Sequence, residues 1–105
     1  VQANVLAAMA DGPAMGQVYN VAVGTRTSLT ELFRLIGDTL AELGIHYLRE
    51  PVYSDFRDGD VRHSLADISK AGSLLGYRPT HSVKQGISIA TKWYVENMNS
   101  IGSKL

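Results

Sequence analysis

The sequence has no cysteine, no excess of either charge and no long hydrophobic run, and each absence excludes a class of protein. Without cysteine there is neither a disulfide framework nor a thiolate metal site. Basic and acidic residues number 10 each, and a net charge of zero argues against duplex nucleic acid as a partner. The apolar runs fall far short of the roughly 20 residues of a membrane span, and no signal peptide is recognisable. We therefore expect a cytoplasmic chain with no nucleic-acid or membrane partner.

Several motifs that carry chemistry are also missing. No GxGxxG turn follows a predicted strand, and there is no phosphate-binding P-loop. The three histidines lie in separate segments without ligand-like spacing, so no metal site is predicted. Ser28 and Ser82 each precede a predicted helix and have an acidic or amide partner three residues later. This spacing is typical of helix capping rather than of nucleophilic catalysis.

The residues that are present follow the pattern of a small α/β domain. The 105 residues are 45% hydrophobic, which suits one domain or part of a larger one. Residues 17–24, QVYNVAVG, contain three β-branched valines and one aromatic residue, and the run is nearly continuously apolar. This composition is typical of a strand that is covered on both faces. Residues 50–56, EPVYSDF, predict a second strand, and a helix over residues 28–44 lies between the two. This order predicts a short parallel βαβ sheet with a right-handed crossover, packed with helices.

The helix boundaries are marked by capping signals. Capping boxes are predicted at two helix starts and left-handed glycines at two helix ends, and one aspartate is placed to cap a third helix. These residues are Ser28 with Glu31, Ser82 with Gln85, Gly44, Gly76 and Asp67. The chain starts without methionine and is already helical in pattern at Val1, so we interpret its first helix as the end of one that begins upstream. We expect residues 99–105 to form a frayed tail.

The loop FRDGDVRHS, residues 56–64, concentrates ionisable groups just before a predicted helix. Two arginines, two aspartates and a histidine fall within seven positions, namely Arg57, Asp58, Asp60, Arg62 and His63. Gly59 permits a tight turn, arginine forks bind phosphate at two points, and carboxylates accept hydrogen bonds from sugar hydroxyls. The loop therefore suits a sugar phosphate or nucleotide. Composition alone leaves open, and favours, a solvated turn with local Arg–Asp pairs worth roughly 0–1 kcal/mol.

Three stretches together resemble a known family. They are VYNVAVGTRTSLTELF, then FRDGDVRHSLADISKAGSLLGYRP, then KWYVENM in the last helix. Their order and spacing are similar to the C-terminal part of extended short-chain dehydrogenase/reductases that act on nucleotide sugars. The nearest resemblance is to UDP-N-acetylglucosamine 4-epimerases of bacterial surface-polysaccharide pathways. The resemblance implies that residues 1–105 are the C-terminal nucleotide-sugar-binding lobe of an NAD-dependent epimerase.

The resemblance also implies roles for particular residues. Arg57, in the R-x-G-D motif, would hold the diphosphate of a UDP-sugar, and Asp60 would bond the uridine ribose. Ser64 falls where related galactose epimerases carry a bulky tyrosine, so a small residue would leave room for an N-acetyl group. His63 is a neighbouring candidate for substrate binding, without a defined role.

The same resemblance predicts what this chain lacks. The family binds NAD at a Gly-rich turn of a Rossmann domain and transfers protons with a Tyr-x-x-x-Lys pair. None of the five tyrosines has a lysine four residues later. We therefore expect no catalytic residue and no cofactor site here, and an inactive lobe whose missing partner is the Rossmann domain of a homodimeric parent.

Two alternatives stay open at this stage. The parent could be a related nucleotide-sugar dehydratase or reductase, because the chemistry depends on the missing half. The chain could also be a free-standing small α/β binding or interaction module that never had a Rossmann partner. Such a module would cover its own core, whereas an excised lobe would expose an apolar face and associate.

Overall fold

The structure, a computed structural model, describes the backbone of residues 1–102 and the side chains of residues 1–98. Helix α1 spans Gln2–Ala8 and is followed by a 3₁₀ turn at Gly12–Ala14. Helices α2, α3 and α4 span Leu29–Glu42, Ser69–Leu75 and Val83–Gly102. Residues 99–102 thus continue α4, and the remainder of the expected frayed tail, residues 103–105, lies outside the described residues.

The helices belong to two compact units. The first unit comprises Val1–Arg26 and Val61–Thr80, and in it α3 packs against α1 and the 3₁₀ turn. The second unit comprises Thr27–Asp60 and His81–Leu105, and in it α2 packs against α4. No helix among the described residues is long and apolar enough to cross a membrane.

The predicted α/β fold class is wrong, because residues 1–102 contain helices and irregular segments but no strand. A strand is defined by backbone hydrogen bonds to a neighbouring strand, and neither predicted segment has such a neighbour. The burial expected on both faces of residues 17–24 is also missing, since Val18 is 85% exposed and Val21 is 54% exposed. The parallel βαβ sheet is therefore not formed in this part of the chain.

Residues 17–24 are held in the first unit by side-chain hydrogen bonds instead. The Tyr19 hydroxyl donates to the Ala14 carbonyl at 2.6 Å, and the Tyr77 hydroxyl donates to the Ala22 carbonyl at 2.8 Å. The Asn20 amide donates to the Asp67 carbonyl at 3.2 Å. The bonds from Tyr77 and to Asp67 connect the segment to residues 47 or more positions away, so it is anchored without a sheet.

The second predicted strand, residues 50–56, contains a proline near its start. Pro51 has no backbone N–H, which restricts proline to edge strands, strand starts and bulges. An edge position still needs a neighbouring strand, and the described residues of the second unit form two packed helices and irregular segments only. β-branched and aromatic residues therefore did not suffice to specify a strand here.

The capping predictions are confirmed at both ends of α2. The Ser28 hydroxyl accepts from the Glu31 N–H at 3.2 Å, and the Glu31 carboxylate accepts from the Ser28 N–H at 2.7 Å. The hydrogen bonds that the Ser28 N–H and the Ser28 hydroxyl donate to the Glu31 carboxylate hold the pKa of Glu31 below its ordinary value. At the C-terminus Gly44 has φ of +79°, and the Ile45 N–H donates back to the Leu40 carbonyl at 2.9 Å. This pattern is a Schellman motif.

The other three predicted caps follow the sequence with one difference. Ser82 and Gln85 exchange hydrogen bonds of 2.8 and 3.2 Å at the start of α4, so this capping box is confirmed. Gly76 ends α3 with φ of +69°, also as predicted. Asp67 accepts from the N–H and hydroxyl of Ser69, which lowers the pKa of Asp67, but Ile68 occupies the N-cap position itself.

Ser28→Ala tests the contribution of the first capping box. We expect the free energy of unfolding to fall by about 1 kcal/mol, because the Glu31 N–H loses its acceptor at the helix start. Urea denaturation followed by far-ultraviolet circular dichroism measures the change. Ser54→Ala, an exposed serine outside any helix, is the control and should stay within about 0.5 kcal/mol of the original chain. Equal losses in the two variants would contradict the capping account.

Candidate functional site

A cleft in the second unit contains two of the predicted site residues. Its volume is about 440 Å³. It lies between the first turn of α2, the segment 51–57 and Asp60. The lining residues are Leu29, Thr30, Pro51, Val52, Tyr53, Ser54, Asp55, Phe56, Arg57 and Asp60. All of them belong to one compact unit, so the cleft is formed within that unit.

The charged end of the cleft is built on a tight turn at residues 57–60. The Asp60 N–H donates to the Arg57 carbonyl at 3.0 Å, which closes a four-residue turn. Gly59 has φ of +89°, the value that a type II turn requires at its third residue and that glycine adopts without a steric cost. The Asp60 carboxylate accepts from the Arg57 N–H at 2.8 Å and ties the ends of the turn together again.

This turn leaves the functional groups of its two end residues available. The Arg57 guanidinium forms no hydrogen bond or ion pair with the described residues, and only one Asp60 carboxylate oxygen, Oδ2, is used in the turn. The solvated-turn alternative expected local Arg–Asp pairs within the loop. The Arg57 side chain forms no such pair, so its charge is open to a ligand.

The cleft is lined by one cationic side chain and two carboxylates, and these two kinds of group bind different parts of a ligand. Arg57 is the group that can hold an anion, through the two-point fork of its guanidinium. Asp55 and Asp60 are acceptors, and they suit hydroxyl groups such as those of a sugar. The cleft therefore favours a ligand that has an anionic group near the Arg57 guanidinium and hydroxyl groups near the two carboxylates.

Sequence reasoning missed the aromatic residues of the cleft. Tyr53 and Phe56 were assigned to a predicted strand, yet both line the cleft with exposures of 76% and 64%. The Tyr53 hydroxyl lies 3.3 Å from the Thr30 hydroxyl on the first turn of α2. The available signal was the position of two aromatic residues within four positions before Arg57.

The other two predicted site residues belong to the first unit. His63 and Ser64 lie in the irregular segment that precedes α3, and both are exposed to solvent. Arg57 and Asp60 are thus brought together by one turn, whereas His63 and Ser64 are not part of that turn or of the cleft lining.

Comparison with known proteins reveals similarity to nucleotide-sugar 4-epimerases. The chain is 31% identical over 97 residues to the dTDP-L-rhamnose 4-epimerase of Burkholderia thailandensis, covering 90% of this chain and 25% of that protein. It is 33% identical over 86 residues to the UDP-glucose 4-epimerase of Mycolicibacterium smegmatis, covering 81% and 26%. It is 29% identical over 84 residues to UDP-glucuronate 4-epimerase 5 of Arabidopsis thaliana, covering 80% and 18%.

These matches establish a partial homology, at about 30% identity, to the C-terminal regions of 4-epimerases that act on nucleotide sugars. The resemblance stated from the sequence is therefore confirmed at the level of the epimerase family, while the particular link to UDP-N-acetylglucosamine is not. No protein-family model matches the chain. The chain spans between 18% and 26% of the length of these relatives.

Proposed function

We propose that this chain is the nucleotide-sugar-binding part of an NAD-dependent 4-epimerase. The observation that carries the proposal is the turn at residues 57–60. It places on the wall of one cleft a carboxylate oxygen and a guanidinium that has no partner among the described residues. The relatives support it, because each is a 4-epimerase of a nucleotide sugar by name. In this proposal Arg57 holds the diphosphate, and Asp60 accepts a hydrogen bond from the ribose.

The particular substrate that we propose is UDP-N-acetylglucosamine, supplied to surface-polysaccharide synthesis in the cytoplasm. This choice rests on the sequence resemblance, in which the small Ser64 leaves room for an N-acetyl group on the sugar. His63 remains a proposed substrate contact on the same basis. Both assignments depend on sequence position and not on the cleft of the second unit.

The described residues do not fit NAD. A dinucleotide site needs a strand that runs through a glycine-rich turn into a helix, so that backbone N–H groups reach the pyrophosphate. Residues 1–102 contain no strand and no GxGxxG sequence. We therefore assign hydride transfer and its cofactor to a Rossmann domain elsewhere in a longer, homodimeric enzyme, and derive no catalytic step from this chain.

Ligand binding to the 105-residue chain tests the proposal. We expect UDP to bind weakly and to shift the backbone amide resonances of Gly59 and Asp60, because part of a full pocket wall is absent and ordering costs entropy. NAD added under the same conditions should leave the spectrum unchanged. Nuclear magnetic resonance titration measures both responses. Stoichiometric binding of NAD, or no response to UDP at millimolar concentration, would contradict the proposal.

A further inference from the structure

The cleft has an uncharged aromatic part that the proposed diphosphate and ribose contacts do not use. Tyr53 lines it four positions before Arg57, and its side chain is 76% exposed. Exposed aromatic rings are costly to leave in water, and a flat ring beside a phosphate-binding group is the arrangement on which nucleobases stack. The ring therefore needs an explanation beyond packing within the chain.

The polar end of Tyr53 is held in place while its ring stays uncovered. The Tyr53 hydroxyl lies 3.3 Å from the Thr30 hydroxyl, and Thr30 belongs to the first turn of a helix fixed by its capping box. A tyrosine side chain has few rotatable bonds, so one hydrogen bond at its tip restricts the ring at a small entropic cost. The hydroxyl contact restricts the positions that the ring can take, and the ring stays exposed to a ligand.

The spacing along the chain fits a nucleoside diphosphate. Four residues of chain extend at most about 14 Å, so the Tyr53 ring and the Arg57 guanidinium are within reach of the two ends of one such molecule. Asp60, tied to Arg57 by the turn, supplies an acceptor for the sugar that joins the base to the phosphates. The three groups offer an apolar face, a hydroxyl acceptor and a cation, which are the contacts that the base, the sugar and the phosphates of a nucleotide need.

We propose that Tyr53 is the stacking platform for the pyrimidine base of the nucleotide sugar, a specificity role that rests on the proposed function of the cleft. Stacking contacts the face of the base and not its hydrogen-bonding edge, so the platform accepts uracil and thymine alike. This agrees with the relatives, whose names include both dTDP-sugar and UDP-sugar epimerases. Phe56 precedes Arg57 in the chain and also lines the cleft. In this proposal it lies beside the phosphates and does not stack on the base.

The test compares two ligands that differ only in the base, UDP and ribose 5-diphosphate, using nuclear magnetic resonance titration of the 105-residue chain. Tyr53→Ala should weaken UDP binding by about fivefold to a hundredfold and leave ribose 5-diphosphate binding within about twofold. Tyr53→Phe should retain most of the UDP affinity, since the ring remains, whereas Tyr53→Leu should lose it. UDP and its 5-methyl form should bind the original chain within about threefold of each other.

The controls separate failure of this inference from failure of the proposed function. Leu48→Ala, which removes an 89% exposed side chain outside the cleft lining, should change the affinity for neither ligand. If Arg57→Ala weakens both ligands while Tyr53→Ala weakens neither, the diphosphate site stands and the base platform is overturned. A loss of UDP affinity confined to Phe56→Ala also overturns it. If UDP does not bind the original chain, the proposed function and the platform fail together.

Discussion

Arg57→Ala is expected to weaken UDP binding by about tenfold to a hundredfold. A charge-assisted hydrogen bond to a phosphate contributes roughly 1.5–3 kcal/mol, and the Arg57 guanidinium has no partner among the described residues that would compete with the ligand. The turn itself should persist, because it uses the backbone of Arg57 and not its side chain. The affinity can be measured by titration of the chain, and in a longer enzyme the loss should appear mainly in KM, because the diphosphate is not the reacting centre.

Two further variants sharpen this prediction. Arg57→Lys should recover only part of the affinity, because a point charge cannot reproduce the planar fork that binds two phosphate oxygens. Arg49→Ala removes an exposed arginine of the same unit that does not line the cleft, so it should change UDP affinity by less than about threefold. If Arg49→Ala and Arg57→Ala had the same small effect, the turn at residues 57–60 would be a solvated turn, and the assignment of Arg57 to the diphosphate would be wrong.

Leu75→Ala is expected to lower the free energy of unfolding by about 2–5 kcal/mol. The hydrophobic residues that are buried among the described residues are Ala14, Ala71 and Leu75, and Leu75 is the largest of them. Leu75 is 9% exposed and lies beside α1 and the 3₁₀ turn, so its truncation removes apolar contacts from the most buried large side chain of the first unit. A loss of this size is a large fraction of the 5–15 kcal/mol that typically stabilises a domain.

The neighbouring residue on α3 supplies the matched control. Leu74→Ala deletes the same atoms from a side chain that is 39% exposed, so the loss should stay within about 1 kcal/mol. Urea denaturation followed by far-ultraviolet circular dichroism compares the two variants in one buffer. Equal losses would mean that Leu75 does not form the core of the first unit.

The exposed hydrophobic side chains are consistent with a chain that buries little apolar surface by itself. Large side chains such as Val18, Leu48 and Val52 are between 85% and 93% exposed. An exposed apolar surface marks an interaction site or a tendency to associate. A rise in the weight-average mass with concentration in light scattering is what an excised lobe should display, whereas a free-standing module should stay monomeric.

Much of the local structure could be predicted from the sequence, because it depends on residues close together in the chain. The capping boxes at Ser28 and Ser82 and the left-handed glycines Gly44 and Gly76 are all confirmed. Each of these features is formed by groups within about six positions, so the residues that specify it are visible in a short window. The tight turn that Gly59 was expected to permit is of the same kind, closed by two hydrogen bonds between neighbours three positions apart.

Two features could not be predicted from local sequence, because they depend on residues far apart in the chain. They are the absence of the predicted strands from the described residues and the aromatic lining of the cleft. Residues 17–24 carry a strand-like pattern, but pairing requires another segment at the right place. Side-chain hydrogen bonds from Tyr77 to the Ala22 carbonyl and from Asn20 to the Asp67 carbonyl hold the segment instead. Tyr53 becomes part of a cleft because the first turn of α2 lies beside it, 23 positions away in the chain at Thr30. The sequence by itself determined the helix ends and the turn at Arg57, since their hydrogen bonds are local. Only the tertiary structure decided which segments meet, because burial and non-local hydrogen bonds are properties of the folded chain.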